Sequence, residues 1–208
     1  MDRMRVGLLT AAAAAFFTTT AAAQVCVGYP TVDRGMSFGA SLDFPDGGDR
    51  WGVEASYDVQ GPLSLFGGVD VTSVDGVDDS TDTFFIGGAA NLFSLPLGTT
   101  GNALGVCPTA QFRYTDFEGG SLIQLPIGLG VGTSISVTPT VPLMPYAIPS
   151  IVMSRFSVDD GDSETEWDFG IRAGALVGFG IVFVGAEVEH IAQEEGDTVF
   201  GIRAGIRL

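Results

Sequence analysis

The sequence predicts an all-β fold: an antiparallel, up-and-down transmembrane β-barrel of about ten strands, with eight as the alternative count. Three observations predict it. Apolar residues alternate with small or polar ones through most of the chain after residue 34, which is the period of a strand. The connections between these segments come in two kinds that take turns, one acidic and one nearly uncharged. Beyond residue 23, charges or Gly interrupt every apolar run, so nothing reads as a transmembrane helix.

The chain begins with a leader pattern. Arg3 and Arg5 precede an apolar stretch from Val6 to Phe17, and Ala21-Ala22-Ala23 stands before Gln24. A basic start, a short apolar core and small residues at the cleavage point make a secretory signal. The core stops at Thr18, short of the ~20 residues a spanning helix needs. Residues 1–23 are therefore expected to be removed, leaving an N-terminal segment over 24–33 and a barrel over 34–208. Val25 before Cys26 argues against lipid attachment there, which requires a small residue at that place.

The strands are expected over 34–44, 51–60, 63–74, 83–95, 104–115, 121–132, 146–157, 167–178, 181–192 and 198–208. The last is the clearest. Phe200, Ile202, Ala204, Ile206 and Leu208 fall on one face, and Val199, Gly201, Arg203, Gly205 and Arg207 on the other. The acidic connections are Pro45–Arg50, Asp75–Asp82, Asp116–Ser121, Asp159–Glu166 and Gln193–Asp197; the uncharged ones are Gln60–Pro62, Pro96–Asn102, Thr133–Pro145 and Gly178–Gly180. Long loops on one side, short turns on the other and an even strand count form the transmembrane-barrel pattern. Pro139, Pro142 and Pro145 are placed in a turn, because proline removes a ladder donor.

Alternation alone also fits a soluble sandwich or a lipocalin-like barrel. Aromatics near strand ends, including Phe44, Trp51, Tyr57, Tyr114, Phe156, Trp167 and Phe200, favour membrane interfaces instead. The formal net charge is −16, and loss of Asp2, Arg3 and Arg5 with the leader takes it to about −17. Such a chain repels phosphate backbones, so no nucleic-acid partner is expected.

The leader, the alternating strands with acidic loops, and the amphipathic strand Val199–Leu208 resemble small outer-membrane β-barrel proteins of the OmpA-, OmpX- and OmpW-like kind. The resemblance implies an integral outer-membrane protein with both termini periplasmic and the acidic loops extracellular. It also implies outer-membrane lipids and the barrel-assembly machinery as partners. Barrels of this kind usually end in an aromatic residue, where this chain has Leu208.

Candidate functional residues are the charges expected to face inward. Arg172, Glu187, Glu189, Arg203 and Arg207 fall on the last three strands, with Glu54 and Asp58 able to join them across the lumen. Arg–carboxylate pairs are strong and directional, so this set reads as a luminal plug, with a gated or charge-selective passage as the alternative. Cys26 and Cys107 are expected to form a disulfide near one rim in an oxidising compartment, worth about 2–4 kcal/mol. His190 and Glu189 are adjacent in a strand and point to opposite faces, so no catalytic pair is expected. The acidic clusters at 75–82 and 159–166 do not fit a calcium-hand pattern and read as solvated loops. No catalytic residue, metal or cofactor is expected. The expected role is non-enzymatic, in envelope structure or surface interaction, with two alternatives: a small pore for small or apolar solutes, and a soluble lipid-binding barrel.

Overall fold

The computed structural model describes residues 26, 28, 35–59, 63–74, 76, 80–97, 102–138, 140–159, 161–192, 196 and 198–208. The expected leader at 1–23, most of the segment at 24–33, the turn at 60–62 and much of the loops at 75–79 and 193–197 lie outside the described residues.

Twelve strands follow in chain order: β1 (Met36–Phe44), β2 (Gly48–Asp58), β3 (Leu63–Val74), β4 (Ser80–Ala90), β5 (Phe93–Leu97), β6 (Asn102–Phe117), β7 (Gly120–Thr133), β8 (Ile135–Thr138), β9 (Val141–Val158), β10 (Ser163–Phe179), β11 (Val182–Ile191) and β12 (Thr198–Arg207). Ten of them form a closed antiparallel barrel, as the sequence predicts; β5 and β8 lie outside the ring. The ring closes where β1 pairs with β12, from Ser37↔Arg207 to Phe44↔Phe200. β5 pairs with β6 and β8 with β9, so each lengthens a hairpin past the ring. The start of β1 and the end of β12 lie side by side, with Met36 and Leu208 exchanging backbone hydrogen bonds. An even number of strands returns both to one rim, here called the turn rim; the acidic connections form the loop rim.

Two expectations need correction. Pro142 and Pro145 are not in a turn: β9 begins at Val141 and contains Pro142, Pro145 and Pro149. The missing donors show as breaks in the ladder. Pairing with β7 lapses between Gly128↔Ser150 and Val131↔Ala147, the interval that holds Pro149. Pro145 falls between the last β7 pair, at Tyr146, and the first β8 pair, at Leu143. The acidic loops are also shorter than expected, because strand pairing runs into them. Glu118-Gly119 alone joins β6 to β7, and β10 starts at Ser163. Backbone pairing continues wherever charged side chains can still reach water.

The two faces separate as the alternation demands. Outward positions are apolar and exposed: Ile86 at 65 %, Trp167 at 63 % and Phe200 at 61 %, with Trp51, Phe84, Ile127, Phe169 and Ile202 similarly bare. Inward positions hold Ser37, Asp43, Glu54, Ser56, Asp58, Ser64, Asp70, Arg113 and Arg203, all buried. Phe66, Met144, Tyr146, Ile148, Val152, Leu176 and Phe183 are buried beside them, so the interior is mixed, and it is the bare apolar exterior that sets this barrel apart from a soluble one. Ile202, near the middle of β12, tests the outward face. Ile202→Arg is expected to destabilise the barrel in lipid vesicles by about 2–4 kcal/mol, whereas Ile202→Leu changes little. Urea unfolding in vesicles reads both, and equal stabilities would place that face in water.

Candidate functional site: a charge-filled lumen

Strand parity carries the charges inward, and register decides which of them meet. Arg203 on β12 is the centre of one cluster. Its Nε lies 3.2 Å from Glu54 Oε1 on β2, and its Nη2 donates to both carboxylate oxygens of Glu187 on β11, each at 3.1 Å. Tyr146 on β9 reaches over Gly174 of the intervening β10 and donates its hydroxyl to the same Glu187, at 2.5 Å. Charge-assisted bonds of this kind are the strong ones, and Arg203 is only 6 % exposed.

A second cluster lies toward the loop rim. Asp43 and Arg50 stand opposite each other in the β1–β2 hairpin and pair at 2.9 Å. Glu189 on β11 meets Arg50 at 3.6 Å and Arg113 on β6 at 3.4 Å, and Arg113 also approaches Asp70 on β3 at 3.9 Å. Since β6 and β11 stand on opposite sides of the ring, the Arg113–Glu189 pair crosses the lumen.

The predicted inward residues are thus only partly brought together. Glu54, Glu187 and Arg203 form one cluster, and Glu189 belongs to the other. Arg172 stands opposite Glu189 in the β10–β11 register. The two line a cavity of about 30 Å³ with Gln111, Ser150 and Ile148, room for a water molecule or two. Asp58 accepts a hydrogen bond from Ser64 at 3.2 Å, outside both clusters. Arg207 sits at the turn rim and donates to the Gly180 carbonyl. Arg50, Asp43, Asp70 and Arg113 were not singled out from sequence. The signal was present in their parity: Arg113 lies between the outward Phe112 and Tyr114, and Asp43 between Leu42 and Phe44.

The disulfide forms between Cys26 and Cys107, with Cα atoms 5.9 Å apart. It lies inside the lumen, not at an open rim. Both cysteines are fully buried, packed with Phe66, Ala89, Tyr146 and Ile148. Toward the turn rim, Met144, Leu176 and Phe183 form a separate apolar cluster inside the barrel. His190 faces outward and pairs with Thr198 at 3.1 Å, while Glu189 faces inward. Among the described residues, no group of three or more His, Cys, Asp and Glu is arranged to hold a metal ion.

Two recesses open at the loop rim. One, of about 350 Å³, lies at the mouth of the lumen between Leu122, Phe156, Glu164 and Glu166. The other, of about 540 Å³, lies between Asp82, Phe84, Tyr114, Asp116, Phe117 and Glu118. Both set carboxylates beside aromatic rings.

The β-domain of the Bordetella autotransporter BrkA superposes on this barrel with a TM-score of 0.53, at 13 % identity, over 84 % of this chain and 99 % of that one. This chain has the fold of an outer-membrane β-barrel. The N-terminal barrel domain of Pseudomonas aeruginosa OprF (TM-score 0.43, 12 % identity, 84 % and 98 % coverage) and Salmonella typhimurium LpxR (0.46, 10 %, 92 % and 78 %) are also similar. No family model and no curated protein sequence matches the chain.

The Arg203 cluster yields a prediction. Arg203→Ala leaves Glu54 and Glu187 buried without their shared guanidinium and is expected to cost about 3–5 kcal/mol. Arg207→Ala, at the rim, costs under about 1 kcal/mol. Urea midpoints in vesicles measure the difference; similar losses at both sites would mean that the cluster contributes no more than a surface pair.

Proposed function

We propose that this protein is an integral outer-membrane barrel with a sealed lumen, serving envelope structure and contact at the cell surface rather than catalysis. The observation that carries this reading is the pairing of an apolar exterior with an interior filled by ion pairs. Side chains fill barrels of about eight strands, and here the ten-strand lumen is occupied by the Arg203 and Glu189 clusters and the Met144–Leu176–Phe183 group. The exterior requires lipid, because exposed aromatic and aliphatic side chains cover it.

Orientation follows from charge. The acidic loop rim belongs outside the cell, and the turn rim, with the two ends of the ring, faces the periplasm. Insertion by the barrel-assembly machinery is part of this reading. A surface partner that fits the loop rim is cationic, since both recesses offer carboxylates beside aromatic rings.

The test has two steps. Expression with the leader is expected to place the protein in outer membranes, with gel migration that shifts on boiling, as a detergent-resistant barrel does. Purified protein in planar bilayers is then expected to show no conductance steps. A soluble periplasmic product overturns the membrane assignment, and steady channels overturn the sealed lumen.

A further inference from the structure

Arg155 departs from the pattern of the other arginines in the ring. Arg50, Arg113 and Arg203 face inward and pair with carboxylates, and Arg172 stands opposite Glu189 on the inner wall. Arg155 on β9 has the opposite parity. Its neighbour Ser154 is buried in the lumen, while Arg155 stands opposite Ile123 on β7 and Thr165 on β10, both of outward parity. Among the described residues it pairs with no carboxylate; its Nη2 donates to Ser163 Oγ at 3.1 Å. One outward row below, Trp167 stands opposite Met153 and is exposed. Tryptophan on the outer wall marks the boundary between hydrocarbon and headgroups. Arg155 therefore stands above that boundary by one outward step, about 7 Å along the strand, where an outward arginine costs little.

The wall around Arg155 is polar. Thr165 lies beside it, and Ser121, Ser157 and Ser163 stand opposite one another in the outward row above. That upper row continues through Asp116 on β6 to Asp82 on β4. Below, the same strands carry the exposed apolar side chains of Ile127, Ile151 and Phe169. We propose that this strip of the outer wall, over β7, β9 and β10, binds a phosphorylated glycolipid of the leaflet at the loop rim. Arg155 takes a lipid phosphate, whose oxygens match the guanidinium fork. The serine and threonine hydroxyls serve the remaining phosphate oxygens and the sugar beside them, and the acyl chains run down the apolar wall. The phosphate belongs at the β9–β10 end, because Asp82 and Asp116 repel it from the other. A lipid fits where a free anion does not, since one exposed arginine is a weak anion site and the apolar wall beneath adds the contact with acyl chains. The inference rests on the membrane placement and orientation proposed above and adds a ligand class and its site.

Native mass spectrometry of the barrel released from detergent micelles tests this by counting bound lipid. The probes are diphosphoryl lipid A, lipid A stripped of its phosphates, phosphatidylglycerol and inorganic phosphate. Each protein is first shown to be a folded barrel by its heat-dependent gel shift. The wild type is expected to retain diphosphoryl lipid A in preference to the other three probes. Arg155→Ala is expected to bind it about tenfold more weakly, with Arg155→Lys between the two, and Arg207→Ala, at the turn rim, to bind as the wild type does. Equal retention by wild type and Arg155→Ala overturns the proposal. So does equal retention of the stripped lipid or of phosphatidylglycerol by the wild type, and so does displacement of the lipid by an equal concentration of inorganic phosphate. Should Arg155→Ala not fold, Ser157→Ala/Ser163→Ala takes its place, with a several-fold loss expected and an unchanged affinity overturning the proposal.

Orientation is read separately. Gly161 lies exposed in the β9–β10 connection, and Gly161→Cys in intact cells is expected to react with a membrane-impermeant maleimide. A folded, membrane-inserted variant that stays unlabelled overturns the orientation proposed above, and the outer-leaflet ligand with it. Labelled cells together with binding that does not depend on Arg155 overturn this inference alone.

Discussion

The β1–β12 ladder is the constraint on which the rest of the structure depends. Lipid offers no partner to a free backbone N–H or carbonyl, so a sheet with an apolar exterior survives there only as a closed ring. Closure fixes parity. Once Phe38, Leu42 and Phe44 face outward, Ser37, Asp43 and their neighbours must face inward, and the same holds around the ring through each register. A one-residue slip anywhere would turn charges to lipid and aliphatic groups to the interior. The hydrophobic exterior therefore dictates a polar interior, and the strand pairing specifies which polar groups share it.

Placing many charges in a narrow lumen is costly unless they neutralise one another. The chain meets this by register more than by sequence proximity. Arg203 draws on strands on both of its sides, β11 for Glu187 and β2 for Glu54, while Arg113 and Glu189 pair across the barrel. Tyr146 adds a hydroxyl to Glu187 by reaching over β10, the strand between them. The result is a brace as well as a filling, since each cluster links strands that share no backbone hydrogen bonds.

Much of this was legible in the sequence, and the losses have physical causes. Period-two alternation gave the strand count and the inward set, because lipid on one side and polar lumen on the other make the contrast strong. Residues 63–74 read as β3 to the residue. The proline-rich start of β9 did not read as strand, since tolerance of Pro145 and Pro149 depends on gaps in neighbouring ladders that no local pattern reveals. Arg113 and Asp70 were missed as partners because they are separated by the strand that carries Phe85, a relation set by side-chain reach across the ring. The cysteine pair was legible as a bond but not as a luminal one, since only the small residue at Gly130 hints that backbone approaches that wall.

The burial of the disulfide governs how the finished molecule meets its redox surroundings. Neither sulfur is exposed in the closed ring, and thiol–disulfide exchange requires that an attacking thiolate reach a sulfur atom. The Cys26–Cys107 bond, once made, is therefore shielded from reductants and from reshuffling by the wall that surrounds it. A thiol reagent that spares the folded barrel and cleaves the unfolded chain would report on the barrel's own opening.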